Sequence, residues 1–481
     1  MSESPAHIDF RANVQHVDPH VPASVRKATA RFLGTRAVVV DVVGQERWQR
    51  LRQAGHTVRL HTINHIDHYL TRLEEQVTRA GGHVHWARDG AEARRIVLDI
   101  AREHKVKRAV KAKSMATEEI GLNKALIDAG IATLETDLGE FIVQLAGVGP
   151  SHIIVPAVHL TKEEIAALFR EKLGVDAPAD PLELAAIART KLRQEFLDAD
   201  MGISGANFMV AETGTLVMVT NEGNGRMCTT LPPLHVAVVG IDKIVPDLES
   251  LNVLLKLLPR SATGQKMSAY TAFITGPRRT DEENGPQEFH LVLLDNGRTD
   301  ILKDPVTRET LLCIRCGACL NVCPVYNNVG GHAYGSAYSG PIGAILSPQL
   351  LGNKVAADLP FASSLCGACA EICPVKIPIV EVLLQLRHRV AEGDLVESAT
   401  APAPARASAG MAARAMSIPW LYNLGAQALK VLQAPLQRGR WLPNLPPPFN
   451  RWTMVRPFPA FGADFRGWWR HRKPGARQES K

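Results

Sequence analysis

The spacing of apolar residues changes repeatedly between a helical and a strand-like pattern from about residue 60 to residue 300. In "TKEEIAALFREKLG", Thr161 and Glu164 have the spacing of a capping box that opens an amphipathic helix. In "DGAEARRIVLDIAREH", Asp89 and Glu92 have the same spacing and predict a second capping box. Helices with well-defined N-termini are therefore expected throughout this part of the chain.

Short apolar runs rich in β-branched residues lie between these helices and predict strands. Continuous apolar strands that alternate with helices are typical of a largely parallel sheet covered on both faces. The sequence therefore predicts an α/β domain. The four runs are "HIIVPAV" (152–158), "GTLVMVT" (214–220), "HVAVVGI" (235–241) and "FHLVLLD" (289–295).

The pattern changes again after the α/β domain. A Gly- and Pro-rich stretch that contains the cysteines is followed by a helical run, an Ala/Pro-rich stretch and a Trp-rich end. The predicted segments are an N-terminal extension (1–60), the α/β domain (61–300), a helical cysteine-bearing domain (301–392), an Ala/Pro-rich linker (393–412) and a basic, Trp-rich C-terminal domain (413–481).

Positive charge is concentrated at the C-terminus. From residue 401 to the end there are 13 Lys+Arg and 2 Asp+Glu, a net charge of +11. The whole chain carries +7, so residues 1–400 carry −4, and we expect no nucleic-acid binding by the protein as a whole. The tail sequence "FRGWWRHRKPGAR" suits docking on a partner protein and leaves peripheral contact with a membrane surface open.

Signals for membrane insertion and secretion are missing from the sequence. No run approaches eighteen apolar residues, so a transmembrane helix is not expected. The start, "MSESPAHIDFRANVQHVD", has no basic end followed by an apolar core, so it does not resemble a secretory signal. A cytoplasmic location is therefore predicted.

Seven of the eight cysteines lie between residues 313 and 373. In a reducing compartment, clustering at gaps of two and three residues favours a metal centre over disulfides. The first motif is Cys313-x2-Cys316-x2-Cys319-x3-Cys323-Pro, the run with which bacterial ferredoxins bind iron–sulfur clusters. The fourth cysteine of this run binds the other cluster of a pair.

The second motif, Cys366-x2-Cys369-x3-Cys373-Pro, is one cysteine short, and Ser363 occupies the missing position. Exchanging the last cysteine between the two motifs gives two ligand sets. The fourth corner of the second cluster then falls to Ser363, to water or to a partner's group. The predicted sets are Cys313, Cys316, Cys319 and Cys373 for cluster 1, a [4Fe–4S] cluster, and Cys323, Cys366 and Cys369 for cluster 2, a [4Fe–4S] or [3Fe–4S] cluster.

A zinc-stabilised interaction module is the alternative interpretation of the cysteines. Structural zinc sites combine Cys-x2-Cys pairs and need four ligands in total. A 4+3 arrangement in which each group ends in Cys-Pro fits that requirement poorly. The remaining cysteine, Cys228, is expected to be a small buried residue and not a ligand.

Several separate blocks of the sequence, in the same order, resemble the lactate utilization protein B family, the iron–sulfur subunit of a bacterial three-component L-lactate oxidation system. The similarity extends from about residue 40 to the end. The blocks are "KSMATEEIGLNKALIDAGIATLETDLGEFIVQLAG" (113–147), "AETGTLVMVTNEGNGRM" (211–227), "GPRRTDEENGPQEFHLVLLDNGR" (276–298) and "CIRCGACLNVCPVYNNVGGHAYGSAYSGPIGAIL" (313–346).

This resemblance implies a domain related to the sugar-isomerase and coenzyme A transferase fold, followed by an α-helical ferredoxin-like dicluster domain. It also implies partners, the lactate utilization proteins of A and C type, and a second motif with three cysteines. The expected function is electron transfer through two clusters during oxidation of L-lactate to pyruvate, without catalytic residues of its own. The alternative is an oxidoreductase subunit whose own α/β domain binds a 2-hydroxy acid or a nucleotide-like ligand.

Polar residues at predicted strand ends and turns are the candidates for such a ligand site, because open α/β sheets bind ligands at strand ends. Glu212 is the candidate nucleophile if the domain acts like a coenzyme A transferase. For each of these residues, capping a helix or satisfying a turn is the simpler role. The groups are Lys113-Ser114-Met115, Glu135-Thr136-Asp137, Glu212-Thr213-Gly214 and Asn296-Gly297-Arg298.

Overall fold

The computed structural model describes residues 7–394, 396–446, 450–453, 457–462 and 469. The chain forms two compact units that divide after Thr400.

Four helices precede the first strand: α1 (Phe10–Gln15), α2 (Val21–Val43), α3 (Gln45–Asn64) and α4 (Ile66–Arg79). Gly44, with φ 84°, separates α2 from α3. The buried face of α3 follows a spacing of three and four residues and includes Trp48, Arg52 and Arg59. Two arginines on a buried helical face need polar partners elsewhere in the fold. Helix α3 packs against the segment that bears the cysteines.

The α/β part alternates helices and strands as its sequence predicts. Its elements are β1 (His83–Ala87), α5 (Gly90–Glu103), β2 (Arg108–Lys111), α6 (Met115–Glu119), α7 (Leu122–Asp128), β3 (Ala132–Glu135), α8 (Leu138–Ala146), α9 (Lys162–Leu173), α10 (Pro181–Leu197), β4 (Met201–Ser204), β5 (Phe208–Val210), β6 (Thr215–Thr220), α11 (Asn224–Thr230), β7 (Leu234–Gly240), β8 (Ile244–Val245), α12 (Leu248–Ala262), β9 (Tyr270–Ile274) and β10 (Glu288–Leu294).

Six of these strands form a wholly parallel sheet in the order β1-β10-β7-β4-β2-β3. In β10, Leu291 and Leu293 face one hydrophobic core, while Val292 and Leu294 face another. The prediction of a parallel sheet covered on both faces is therefore confirmed. Strand β3 lies on one side of β2, and the chain then returns to β4 on the other side, so the sheet has a switch point between β2 and β4.

A second sheet of four strands, in the order β8-β5-β6-β9, was not predicted. The run "GTLVMVT" forms β6 as expected, but β6 pairs antiparallel with both β5 and β9. Assigning this run to the parallel sheet was therefore wrong. Its first four residues are buried, so its composition does not distinguish it from a strand of a covered parallel sheet.

The predicted strand at "HIIVPAV" is also wrong, because this stretch is a loop of bends and turns. Pro156 has no backbone N–H to donate to a ladder. The imidazole Nδ1 of His152 accepts the backbone N–H groups of Ile154 and Val155 at 3.0 and 3.3 Å. These local bonds replace the strand pairing that the apolar composition suggested.

One of the two predicted capping boxes forms completely. Thr161 and Glu164 exchange both bonds at the start of α9. Asp89 accepts the N–H of Glu92 at 2.8 Å, but the Glu92 carboxylate accepts the N–H of Arg88, at 3.0 Å, instead of that of Asp89. The second box is therefore only half formed, although the helix begins where it was predicted.

The segment that bears the cysteines is helical, as expected, and its helices are short. The larger hydrophobic core continues from the sheet into this segment through Leu311 and Leu312. Its helices are α13 (Arg298–Lys303), α14 (Ala318–Val322), α15 (Tyr326–Val329), α16 (Gly340–Leu351), α17 (Asn353–Ala356), α18 (Ala368–Ile372) and α19 (Ile379–Glu392). Short 3-10 turns lie at Ile241–Lys243, Arg308–Leu312, His332–Tyr334 and Leu359–Phe361.

The second unit begins in the Ala/Pro-rich stretch and contains mostly exposed helices. Apart from Trp469, the tail sequence "FRGWWRHRKPGAR" lies outside the described residues, and so do its predicted contacts. Within the described ranges, no helix has the length and apolar character needed to cross a bilayer. The elements of this unit are α20 (Ala403–Ser417), α21 (Pro419–Leu432), a 3-10 turn (Ala434–Leu436), β11 (Trp441–Leu442), α22 (Asn450–Thr453) and β12 (Phe458–Pro459).

Candidate metal centre

The two cysteine motifs have the same local backbone conformation. Each begins with a loop and continues into a one-turn helix, α14 in the first motif and α18 in the second, and these two helices pack together. Equivalent residues have left-handed φ angles: Arg315 (57°) matches Leu365 (54°), and Gly317 (72°) matches Gly367 (83°). Glycine adopts this conformation without a steric penalty, which accounts for the shared Cys-Gly-Ala-Cys sequence. The motifs are therefore structural repeats.

Ser363 lies at the position that Cys313 occupies in the other repeat. The backbone N–H of Arg315 donates to Cys313 Sγ at 3.4 Å, and the backbone N–H of Leu365 donates to Ser363 Oγ at 3.1 Å. The equivalent backbone N–H group therefore donates to a thiol sulfur in one repeat and to a hydroxyl oxygen in the other. Arg387 also donates to the Ser363 carbonyl oxygen, at 2.9 Å from Nη2.

Four thiols from both repeats interact electrostatically, and we call them the first cysteine group: Cys313, Cys316, Cys319 and Cys373. Burial is the largest cause that raises the pKa of Cys316, and the charges of Cys373 and Cys313 raise it further. Burial and the charge of Cys313 likewise raise the pKa of Cys373 to about 11. Bringing several thiolates together in an apolar environment without a cation is unfavourable, which is why these pKa values rise.

The other three thiols form the second cysteine group: Cys323, Cys366 and Cys369. Burial, together with the charges of Cys323 and Cys366, raises the pKa of Cys369 to about 12. Cys366 differs because it is exposed, and the backbone N–H of Ala368 lowers its pKa. Cys319 also interacts with Cys369, so the two groups lie next to each other.

This donor set fits two iron–sulfur clusters. All eight cysteines lie among the described residues and are free thiols. Backbone N–H groups point at the sulfurs of Cys313, Cys323 and Cys373 at 3.4 to 3.5 Å, as expected for thiolates that carry cluster charge. Iron would replace the thiol protons and compensate the clustered negative charge. A zinc site needs four ligands, and the second group offers three thiols.

Five cations surround the first cysteine group: Arg36, Arg52, Arg59, Lys243 and Arg315. Arg52 donates from Nε and Nη2 to the carbonyl oxygen of Cys373, at 3.0 and 2.7 Å. Arg59 is fully buried and donates to the carbonyl oxygens of Leu311 and Ile244 at 2.9 and 2.7 Å. Burial lowers the pKa of Arg59 to about 10.

The prediction of residues 1–60 as an N-terminal extension gave no function to the arginines of α2 and α3. The sequence of α3 nevertheless indicates that two of these arginines are buried. Arg52 and Arg59 are seven residues apart on a helical face whose other members are apolar or small. Charged residues on such a face are buried only where they find partners.

The polar turn residues of the α/β part fall into two classes. Lys113, Ser114, Asp137 and Arg298 line one cavity of about 570 Å³. Glu212, the candidate nucleophile, is exposed and is not part of the cavity wall. The structure therefore brings part of the predicted set together but leaves Glu212 outside it.

Glu135 and Cys228 are buried and contact other side chains of the protein. Glu135 is buried against Lys111, with its Oε1 at 2.7 Å from the lysine Nζ. Cys228 is fully buried and contacts the hydroxyl of Thr136 at 3.3 Å, and burial raises the pKa of Cys228 to about 12. The expectation that Cys228 is a small buried residue is confirmed.

Comparison with known protein families and sequences agrees with this organisation. Residues 70–294 match the LUD domain, and residues 309–377 match the 4Fe-4S dicluster domain. Over 459 residues, which cover 95% of each chain, the sequence is 43% identical to lactate utilization protein B of Bacillus cereus (strain AH820). Lactate utilization protein B of Bacillus anthracis (strain A0248) has the same identity and coverage. A solved DUF162 family protein from Deinococcus radiodurans is 14% identical, with 48% of this chain and 98% of that chain covered and a TM-score of 0.28.

Proposed function

Because the chain belongs to the lactate utilization protein B family, we propose that it is an iron–sulfur electron carrier in the oxidation of L-lactate to pyruvate. The observation that carries this proposal is the convergence of seven cysteines into two neighbouring groups. Iron–sulfur clusters accept and release single electrons. The protein's part is then to hold the thiolates, to exclude water and to set the surrounding charge.

We assign the first cysteine group to cluster 1, a [4Fe–4S] cluster, and the second group to cluster 2. The mutual interactions of the thiols within each group support this division. Cluster 2 is a [4Fe–4S] or [3Fe–4S] cluster with three cysteine ligands. Ser363, which takes the position of Cys313 in the repeat, is the protein's candidate for the remaining corner, beside water and a partner's group.

The names of the relatives support a place in a multi-subunit system. We infer that this chain exchanges electrons with lactate utilization proteins of A and C type in the cytoplasm. The exposed Cys366 gives the second cysteine group a surface position that a partner protein can approach. Such an approach would allow electron exchange without opening the buried first group.

Iron analysis and EPR of anaerobically purified full-length chain test the assignment. The wild type should contain ~7 or 8 irons per chain. Cys316→Ser should remove cluster 1, leave ~3 or 4 irons and stop lactate-dependent growth in a strain that relies on this chain. Cys228→Ser is the matched control, because Cys228 is also buried and belongs to neither group. It should retain both clusters.

Three outcomes would contradict the proposal or its ligand assignment. Normal spectra and normal growth in Cys316→Ser would remove the ligand assignment. Reduction of the clusters when L-lactate is added to the isolated chain would show that the chain oxidises lactate itself and is not only a carrier. Colourless protein with bound zinc would exclude both the electron-carrier function and lactate oxidation by the chain itself.

A further inference from the structure

The cavity of about 570 Å³ lies at the carboxyl edge of the six-stranded sheet, where the topology favours ligand binding. Ser114 follows β2 and Ala206 follows β4, and both line the cavity at the switch point between these strands. Loops that leave neighbouring strands in different directions open a crevice at such a point. Ile314 and Arg315 of the first cysteine motif form another part of the wall. A ligand in this cavity would therefore lie beside the first cysteine group.

Arg315 has an unused hydrogen-bonding edge. The residue is only 8% exposed, and its Nη1 donates to the carbonyl oxygen of Cys313 at 3.4 Å. Its Nε and Nη2 are buried and have no hydrogen-bond partner among the described residues. Asp242 Oδ2 lies 3.6 Å from Nη2, too far for a hydrogen bond. Nε and Nη2 together form the parallel pair of donors that binds both oxygens of a carboxylate.

Charge around Asp242 also favours an anion. Arg298 donates to Asp242 at 2.7 Å and forms two further bonds, at 2.9 and 2.8 Å, with Glu119. Lys243 is bonded to Asp242 as well. Three cations, Arg298, Lys243 and Arg315, thus lie around two carboxylates where they line the cavity. The positive charge of Arg315 beside its two free donors favours a negatively charged ligand over a neutral one.

The other charged groups that line the cavity make it unfavourable for an anion to bind away from Arg315. Lys113 donates to the carbonyl oxygen of Ile154 at 2.9 Å and interacts with the carboxylates of Asp137 and Glu222. These two carboxylates would repel an anion. Much of the other lining is apolar and includes Ile142, which suits the carbon skeleton of an organic ligand.

We propose that this cavity binds the carboxylate of a small organic acid on the Nε–Nη2 edge of Arg315. The site goes beyond the electron-carrier function, because binding at Arg315 does not depend on which chain oxidises lactate. The cavity is larger than a three-carbon acid requires, so longer acids also fit.

Isothermal titration calorimetry on the anaerobically purified full-length chain tests the site, with L-lactate, pyruvate and a longer 2-hydroxy acid as probes. At least one acid should bind saturably at one site per chain, whereas uncharged lactamide should not bind. Arg315→Gln should weaken acid binding by about tenfold or more, because it removes the charge and one of the paired donors. Inorganic phosphate, titrated at equal ionic strength, shows whether the site selects carboxylates or binds anions in general.

Ala206→Leu is the second variant, because Arg315 lies between two cysteines and its replacement can disturb them. Ala206 is half-buried in the cavity wall, so the larger side chain should also weaken binding while the iron content stays unchanged. The proposal is overturned if no acid binds, if phosphate binds and the acids do not, or if the acids bind both variants as they bind the wild type. Iron analysis of the same wild-type sample is a separate measurement, so failure of the electron-carrier proposal would be recognised independently.

Discussion

Replacing Arg52 by Gln is expected to lower the midpoint potential of cluster 1. Arg52 is buried, and both of its bonds to the Cys373 carbonyl oxygen come from a positively charged group. Reduction adds negative charge to a cluster, and a nearby cation stabilises that charge. A glutamine amide keeps a donor for the same carbonyl oxygen, so the substitution removes mainly the charge.

The size of the shift follows from Coulomb's law. A unit charge about 8 Å from the added electron contributes ~2 kcal/mol at an effective dielectric constant of about 20. A one-electron potential changes by ~59 mV for each tenfold change in the equilibrium constant, which is ~1.4 kcal/mol. The expected decrease is therefore about 90 mV, which is well within the resolution of a redox titration.

An EPR-monitored redox titration of the anaerobically purified full-length chain measures this shift. Arg52→Lys keeps the charge and should stay close to the wild-type potential. Arg387→Gln removes a cation that contacts the Ser363 carbonyl oxygen in the other repeat, so it should leave the potential of cluster 1 unchanged. The electrostatic reasoning is refuted if Arg52→Gln retains its iron with an unchanged potential, or if Arg52→Lys shifts as far as Arg52→Gln.

Two other substitutions test separate parts of the molecule. Burial and the nearby Glu135 carboxylate raise the pKa of Glu140 to about 8, compared with ~4.3 in an unfolded chain. The stability that neutral Glu140 contributes is therefore complete below pH ~4.3, and it is lost as the pH rises through 8. Glu140→Gln should therefore raise the melting temperature at pH 8.5 and change it little at pH 4, and equal shifts at both pH values would contradict the assignment. Ser363→Cys should give cluster 2 a fourth thiolate and bring the chain to ~8 irons, as measured by iron analysis and Mössbauer spectroscopy. An iron content of ~7 in this variant would contradict the equivalence of Ser363 and Cys313.

The proposed division of the cysteines rests on local spacing, which is visible in the sequence alone. Three cysteines at gaps of two residues have few conformations in which their sulfurs converge, and the proline after Cys323 and Cys373 turns the chain in both motifs alike. The repeat then brings Ser363 to the position of Cys313 without any information from distant parts of the chain. The parallel strands were predictable for a similar reason, since β7 and β10 are continuous apolar runs.

The features that could not be predicted depend on contacts between distant segments. Strand β6 is as apolar as its counterparts in the parallel sheet, and only its pairing with β5 and β9 assigns it to the other one. The stretch around Pro156 has strand-like composition, but the His152 side chain takes its backbone donors. Arg52 lies more than three hundred residues from Cys373, so its role follows only from the packing of α3 on the second repeat.

The two cysteine groups share a backbone geometry but differ in their surroundings, and this difference connects the electron carrier with the proposed carboxylate site. Cys366 exposes the second group to a partner, whereas the first group is buried among five cations and borders the cavity through Arg315. A carboxylate bound to Arg315 would neutralise one of those cations. By the same Coulomb estimate, it would lower the potential of cluster 1 by about as much as the loss of the Arg52 charge. Occupancy of the cavity would thereby favour release of an electron from the first group toward the exposed second group, so ligand binding and electron transfer would be coupled through charge alone.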